Sequence, residues 1–428
     1  MSKKLRIKRS RSKYAQRFKP LKFVIYLLVI SLVFFLGWTL YPTVRDFIVG
    51  ESPSSAESSE SDSGISSSEH SSESSGSASQ DESSSSVPES SSAESSLPEA
   101  SEPEDAPEGT RAIFLPAELL NDTVSLADTV SAAKAAGFNA VLIELKDDEG
   151  YVMYSSAVPR AKKSISDNAY DLVSVISYLK SEGLEVIGRM HSFHDHMGGK
   201  AYRPMGIYYM NESFLWLDDY PDKGGRSWLN PYSEDAAAYI TDLSLEAADA
   251  GVDSIIFAGF SFPTKIGIES ANFGELAETV GKQEMLSMRM QQITSALKEK
   301  NTTAYFFAEG PAVLGGDNYI YHGDPLNIAV DGFSTSLYPS DIASNKLDSS
   351  LGITDSLQNP YQSVSAQLAL LLPKLKSDAE FLPFIQGFSD SSFTCTAEEI
   401  SSQLKALSDA EISSYILYNP TGEYNFAD

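Results

Sequence analysis

The chain has 428 residues, and its 59 Asp/Glu outweigh 32 Lys/Arg for a net charge of −27. Residues 1–41 hold ten Lys/Arg and no acid, which leaves 22 bases against 59 acids, a balance of −37, for residues 42–428. So acidic a remainder argues against nucleic acid as a partner, because phosphates demand a basic face. Cys395, the only cysteine, excludes an intramolecular disulfide and a Cys-based zinc site.

Residues 1–22 form a basic tail. Phe23 to Tyr41 follow as 19 residues without a charge, close to the ~20 that span a hydrocarbon core as a helix. The basic run from Lys3 to Lys22 places the N-terminus in the cytoplasm by the positive-inside rule. The apolar run is longer than a signal-peptide core and no small-residue cleavage site follows it, so an uncleaved transmembrane anchor is expected. Residues 42–110 read as a linker. From Glu51 to Glu108 it is Ser, Glu, Asp, Pro and Gly with almost no large apolar residue, a composition that predicts disorder.

In residues 111–428 short apolar or aromatic runs alternate with segments of helical period, the signature of βαβ units. Strands are expected at Arg111–Pro116, Ala140–Lys146, Glu185–His191, Ser254–Pro263, Thr303–Glu309, Gly332–Pro339, Phe381–Ser389 and Ser414–Pro420. Helices are expected at about 125–136, 169–182, 233–250, 280–300, 360–377 and 396–408. Gly137, Gly183 and Gly251 stand where the first three should stop. Eight strands in this length, with no Gly-rich phosphate loop after the first, predict an α/β fold of the (β/α)8 TIM type.

The chemistry of such barrels lies at the C-terminal strand ends. There the chain resembles a family of glycoside-hydrolase-like TIM barrels found on bacterial surface proteins, over roughly residues 111–424. Glu144-Leu-Lys-Asp-Asp-Glu-Gly150 with Tyr151 is similar to its second strand, and Arg189 to an Arg on its third. Trp228-Leu-Asn-Pro-Tyr232, Leu337-Tyr-Pro-Ser340, Pro383-Phe-Ile-Gln386 and Tyr415-Ile-Leu-Tyr-Asn419 resemble further family segments. The departures are in acids. A family Phe-Asp-Tyr-x-Arg-Phe-Pro is here Phe257-Ala-Gly-Phe-Ser-Phe-Pro263, so Ala258 and Ser261 replace an Asp and an Arg. A fifth-strand Asp falls near Phe307, and the Asp after the seventh-strand Gln is Gly387. Glycoside hydrolysis typically takes two carboxyls, ~5–5.5 Å apart for retention or ~6.5–9.5 Å for inversion.

Glu144 and Lys146 lie two apart on a strand and are expected to share the barrel interior. They form either an acid tuned by Lys146 and Arg189 or an internal ion pair near the mouth. Asp147 and Asp148 lie just beyond, as substrate contacts or as turn residues. His191, His194 and His196 beside Asp195 offer imidazoles, but their loop spacing and the lack of a second histidine cluster argue against a metal. Sugar contacts and a plain surface loop are the stronger readings, with a metal site the weaker one. Glu309 precedes the Gly310-Pro311 turn, either as the partner acid of Glu144 or as a solvated loop acid. The aromatics between Tyr202 and Trp228 could stack on sugar rings or pack their own loop.

The sequence therefore reads as a membrane-anchored, extracellular barrel that acts on or binds a cell-wall or extracellular polysaccharide. Glu144 with Glu309 or Asp195 are the candidate catalytic acids. Lys146, Asp147, Arg189, His191, Trp228, Tyr338, Gln386, Tyr418 and Asn419 are the candidate sugar contacts. No metal and no cofactor is expected. The alternatives are a catalytically inactive carbohydrate-binding pseudoenzyme and a surface scaffold protein.

Overall fold

The computed structural model describes residues 109–424, apart from 211–212, 316–318, 329 and 377–378. The basic tail, the apolar run 23–41 and nearly all of the linker thus lie outside the described residues. Among the described residues no helix is long and apolar enough to cross a membrane.

Eight parallel strands build the fold: β1 Arg111–Leu115, β2 Ala140–Lys146, β3 Glu185–His191, β4 Ser254–Ala258, β5 Thr303–Ala308, β6 Gly332–Thr335, β7 in two pieces, Glu380–Phe381 and Phe384–Gln386, and β8 Tyr415–Tyr418. Each of β1 to β6 pairs with the next in parallel, and β8 pairs with β1. The first piece of β7 pairs with β6 and the second with β8, which closes the ring. Pro383 sits in the gap and has no N–H to donate to a ladder. Its neighbours bridge it: Leu382 N–H donates to Phe333 O at 3.1 Å, and Leu337 N–H to Phe384 O at 2.9 Å. The result is an α/β barrel of the TIM type.

Helices α1 Thr123–Ala135, α2 Leu172–Ser181, α3 Glu234–Asp249, α4 Lys282–Lys298, α5 Pro360–Leu371 and α6 Ala397–Asp409 follow β1, β2, β3, β4, β6 and β7. Side chains cap the orphan N–H groups at several starts. Asp122 accepts from Val124 and Ser125, Asp171 from Ser174, and Thr396 forms a capping box with Glu399. Gly137, Gly183 and Gly251 leave the first three helices at φ +85°, +78° and +104°, a left-handed exit that a Cβ would strain. After β5 come the short helix Gly310–Gly315 and a 3-10 turn, Pro325–Asn327.

All seven residues of β2 are buried, as expected for a parallel strand covered on both faces. Val141, Ile143 and Leu145 face the helices within the outer core. Ala112, Phe114, Ala140, Leu142, Ile187, Ile256, Tyr305, Leu382, Phe384 and Ile416 fill the barrel. The expected fourth strand is cut short at Ala258 because Gly259 turns with φ +56°, and Phe260 and Phe262 fold back into the core.

A second departure matters more for the site. Glu144 pairs with Arg189, but Lys146 pairs with Met190, so two β2 residues oppose one step of β3. This bulge cancels the expected alternation and sends Lys146 to the outer layer, 5.6 Å over the Tyr239 ring of α3. The expectation that Glu144 and Lys146 share the interior is thereby corrected.

Candidate functional site

Arg189 anchors the C-terminal mouth of the barrel. Two residues beyond inward-facing Ile187, it lies between the rings of Phe114 and Tyr418, with Cζ 5.1 Å and 4.8 Å from their centroids. Its Nε donates to Glu144 Oε2 at 2.9 Å and Oε1 at 3.2 Å, and its Nη2 donates both to the same carboxylate and to Tyr418 Oη, the latter at 3.1 Å. Tyr338 lies parallel to Tyr418 with centroids 6.4 Å apart, and Phe388 meets Tyr338 edge-on at 5.3 Å. The mouth is therefore a charged fork held among aromatic faces.

Burial pushes the Glu144 carboxyl above its usual range while Arg189 pulls it back. Burial also opposes the Arg189 charge, but Glu144 and then Tyr418 outweigh it and raise the guanidinium further. We take the pair as ionised, since a guanidinium keeps its proton and would be left uncompensated beside a neutral acid. Glu144 thus realises the ion-pair reading, with Arg189 rather than Lys146 as its partner.

Glu309, one residue beyond β5, is open to water yet crowded by the mouth. Burial and then the Asp341 carboxylate raise it to about 7, against the pull of Arg189. Its N–H donates to Tyr321 Oη at 3.3 Å. Asp341, in the first turn of the helix Pro339–Ser344, accepts from Ser336 Oγ at 3.1 Å and is itself raised by burial. A carboxyl that titrates near neutrality beside a second carboxylate is the arrangement of a proton donor with a partner base.

Other candidates are placed elsewhere. Lys146 and Asp195 form a 2.7 Å ion pair with both side chains sealed from solvent. Lys146 also donates to Ser192 O at 3.2 Å, and Asp195 accepts from Gly198 N–H at 2.6 Å. Enclosed in this way, neither can touch a substrate in the mouth, and the pair instead braces the loop after β3. Asp147 is spent on its own turn, accepting from Glu149 N–H at 3.2 Å and Tyr151 N–H at 2.7 Å. Gln386 is fully buried, accepting from Ser340 N–H at 3.2 Å and donating to Phe388 O at 3.2 Å, so it shapes the β7 end from behind. Asn419 folds the turn after β8 by donating to Glu423 O and accepting from Thr421.

His194 and His196 meet edge-on, with ring centroids 4.9 Å apart. His191 lies beside Ala258 in the β3–β4 register, and its Nδ1 is buried without a hydrogen-bond partner. Burial, then the charges of Arg189 and Lys146, hold the imidazole well below its usual range, so it stays neutral. His194 stacks on Trp228 at 4.2 Å, and His196 Nδ1 contacts Ser227 O at 2.8 Å. Among the described residues no group of three or more His, Cys, Asp and Glu is placed to hold a metal ion. Trp228, a candidate sugar contact, packs its own loop: it is covered by His194, and its Nε1 donates to Asp218 Oδ2 at 3.2 Å. It walls a neighbouring cavity of about 600 Å3 rather than the mouth itself.

The mouth therefore gathers Glu144, Arg189, His191, Glu309, Tyr338 and Tyr418 from the sequence candidates. Phe114 and Asp341 complete it. Phe114 was legible only as the inward alternate of Ala112, and Asp341 as one strand-end acid among many.

Residues 112–424 match the family described as "Putative glycosyl hydrolase domain". The chain belongs to this family. No curated protein matches it significantly. Among solved structures, the glycoside hydrolase domain of PgaB (BpsB) from Bordetella bronchiseptica is 13% identical, with a TM-score of 0.51 over 73% of this chain and 94% of that one. A hypothetical protein from Ruminiclostridium thermocellum ATCC 27405 is 24% identical over 45% of this chain and 96% of that one, with a TM-score of 0.40. The catalytic domain of β-amylase from Paenibacillus polymyxa is 10% identical over 75% and 96%, with a TM-score of 0.46. The first of these neighbours shares the fold of this family member. Within that fold the replaced acids have local consequences. Ala258 lines the mouth beside His191, and a Cβ on Gly387 would stand 2.7 Å from Leu417 Cδ1, so restoring an acid there requires the β8 side chain to move.

Proposed function

We propose that the barrel acts on a glycan bound at the mouth around Arg189, with Glu309 as the proton donor and Asp341 as its partner carboxylate. The observation that carries this reading is Glu309, accessible at a strand end, raised to about 7 and set beside both Asp341 and the Glu144–Arg189 pair. A sugar ring could lay its C–H face on Tyr418 or Tyr338 and direct hydroxyls to His191 and Arg189. Membership of a glycosyl hydrolase family supports a carbohydrate as the ligand.

Binding without turnover is the second reading. It is favoured by Glu144, whose two oxygens are both occupied by Arg189, and by the replacement of family acids at Ala258 and Gly387. We further propose that residues 23–41 anchor the chain and hold the barrel outside the cell, facing wall or extracellular polysaccharide. The uncharged run and the preceding bases support this placement.

The test is turnover of β-linked polysaccharides by residues 109–428 and by Glu309→Gln. A hydrolase loses about 10²–10⁴-fold in the variant while keeping its affinity. Glycan binding with no turnover in either protein selects the second reading, and absence of both overturns the carbohydrate assignment.

A further inference from the structure

A cavity lies next to the mouth on the side of β4. Gly259, with its φ of +56°, sits between His191 and the next cavity, and a Cβ there would stand 2.9 Å from His194 Cβ and 3.3 Å from His191 Nδ1. Only a glycine fits here, so the mouth residue His191 and the cavity residue His194 pack close to one another where the strand ends early. Beyond Gly259 lies the cavity of about 600 Å3, walled by the stacked His194–Trp228 pair and by Asp148, whose charge also acts on Glu144. Asp219 and Ile266 line both this cavity and a second one of about 400 Å3, which continues outward.

The lining of the second cavity differs in kind. Tyr220 is 57% exposed, Phe214 50% and Ile266 65%, and Phe214 stacks on Tyr209 at 5.3 Å. Asp219 and Glu269 supply carboxylates among these faces. Exposed flat rings interspersed with hydrogen-bond acceptors match a chain of pyranose rings, which presents C–H faces to stack and equatorial hydroxyls to donate. The segment that carries these aromatics is also far longer than a connection between β3 and α3 requires.

We propose that the two cavities form a groove that takes further units of the same glycan chain whose reacting unit sits at the mouth, so that the preferred ligand is a polymer rather than a mono- or disaccharide. This rests on the carbohydrate reading above. The test uses cello- and chito-oligosaccharides, dimer and hexamer of each, titrated against residues 109–428. The hexamer of the accepted series should bind at least about tenfold more tightly than its dimer, and Tyr220→Ala should remove most of that advantage while Tyr220→Phe retains it. Equal affinity for dimer and hexamer would overturn the groove and leave the mouth reading standing. A hexamer advantage indifferent to Tyr220→Ala and to Phe214→Ala would likewise overturn it. No binding by any oligosaccharide would overturn both.

Discussion

Glu309 owes its character to position more than to type. An ordinary glutamate titrates near 4.5, whereas here partial desolvation by the crowded mouth, then Asp341, raise this exposed carboxyl to about 7. The folded state consequently holds a proton that the unfolded chain releases between these two values. The contribution to stability is complete below pH 4.5 and is lost as pH rises through about 7. Glu309→Gln cannot charge, so its melting temperature should fall less than that of the wild type between pH 5 and pH 8, as measured by thermal unfolding of residues 109–428. Parallel pH profiles would show that Glu309 is an ordinary solvated acid. How much of this site was legible depended on the residue. Arg189, Glu144 and Tyr418 could be placed by alternation on their strands. Asp195 could not be set aside, because its pairing with Lys146 is long-range and leaves no mark in either segment.

At the scale of elements, strands and helices were legible most clearly in the first three βα units, which repeat the same signals, an apolar strand, a capped helix and a glycine exit. What escaped was local irregularity. The bulge after Glu144 rotates Lys146 out of the barrel, and no period-two reading of Ala140–Lys146 reports a one-residue insertion. Gly259 ends β4 five residues early in the same way, through a backbone angle rather than a change of polarity. The bulge has an energetic counterpart, since it delivers the Lys146 charge to a sealed layer where Asp195 is its compensating acid. Asp195→Asn keeps an oxygen for the Gly198 N–H but removes that charge, and should cost about 3–5 kcal/mol in denaturant unfolding. Lys146→Met combined with Asp195→Asn should recover most of the loss, because no buried charge is then left unpaired. A single-variant cost below about 1 kcal/mol, typical of an exposed pair, would mean that the layer admits water.

For the whole molecule, the decisive asymmetry is electrostatic. Ten Lys/Arg precede the uncharged run 23–41, and 59 acids against 22 bases follow it. Carrying one positive charge outward against a membrane potential of ~100 mV costs roughly 2.3 kcal/mol, so exporting the basic tail is opposed at each of its ten Lys/Arg. The basic tail thus supports the proposed orientation, tail inside and barrel outside, in which a polymer-binding groove would meet wall or secreted glycan. Protease added to intact cells should then cut in the Ser/Glu-rich stretch and release a fragment that an antibody to residues 109–428 detects in the supernatant, leaving a small stub with the membrane. The compact barrel should survive as that fragment, since its eight parallel strands pair with one another around a ring. Recovery of the intact chain until the cells are opened would place the barrel inside and overturn the orientation, and with it the proposed access to extracellular polysaccharide.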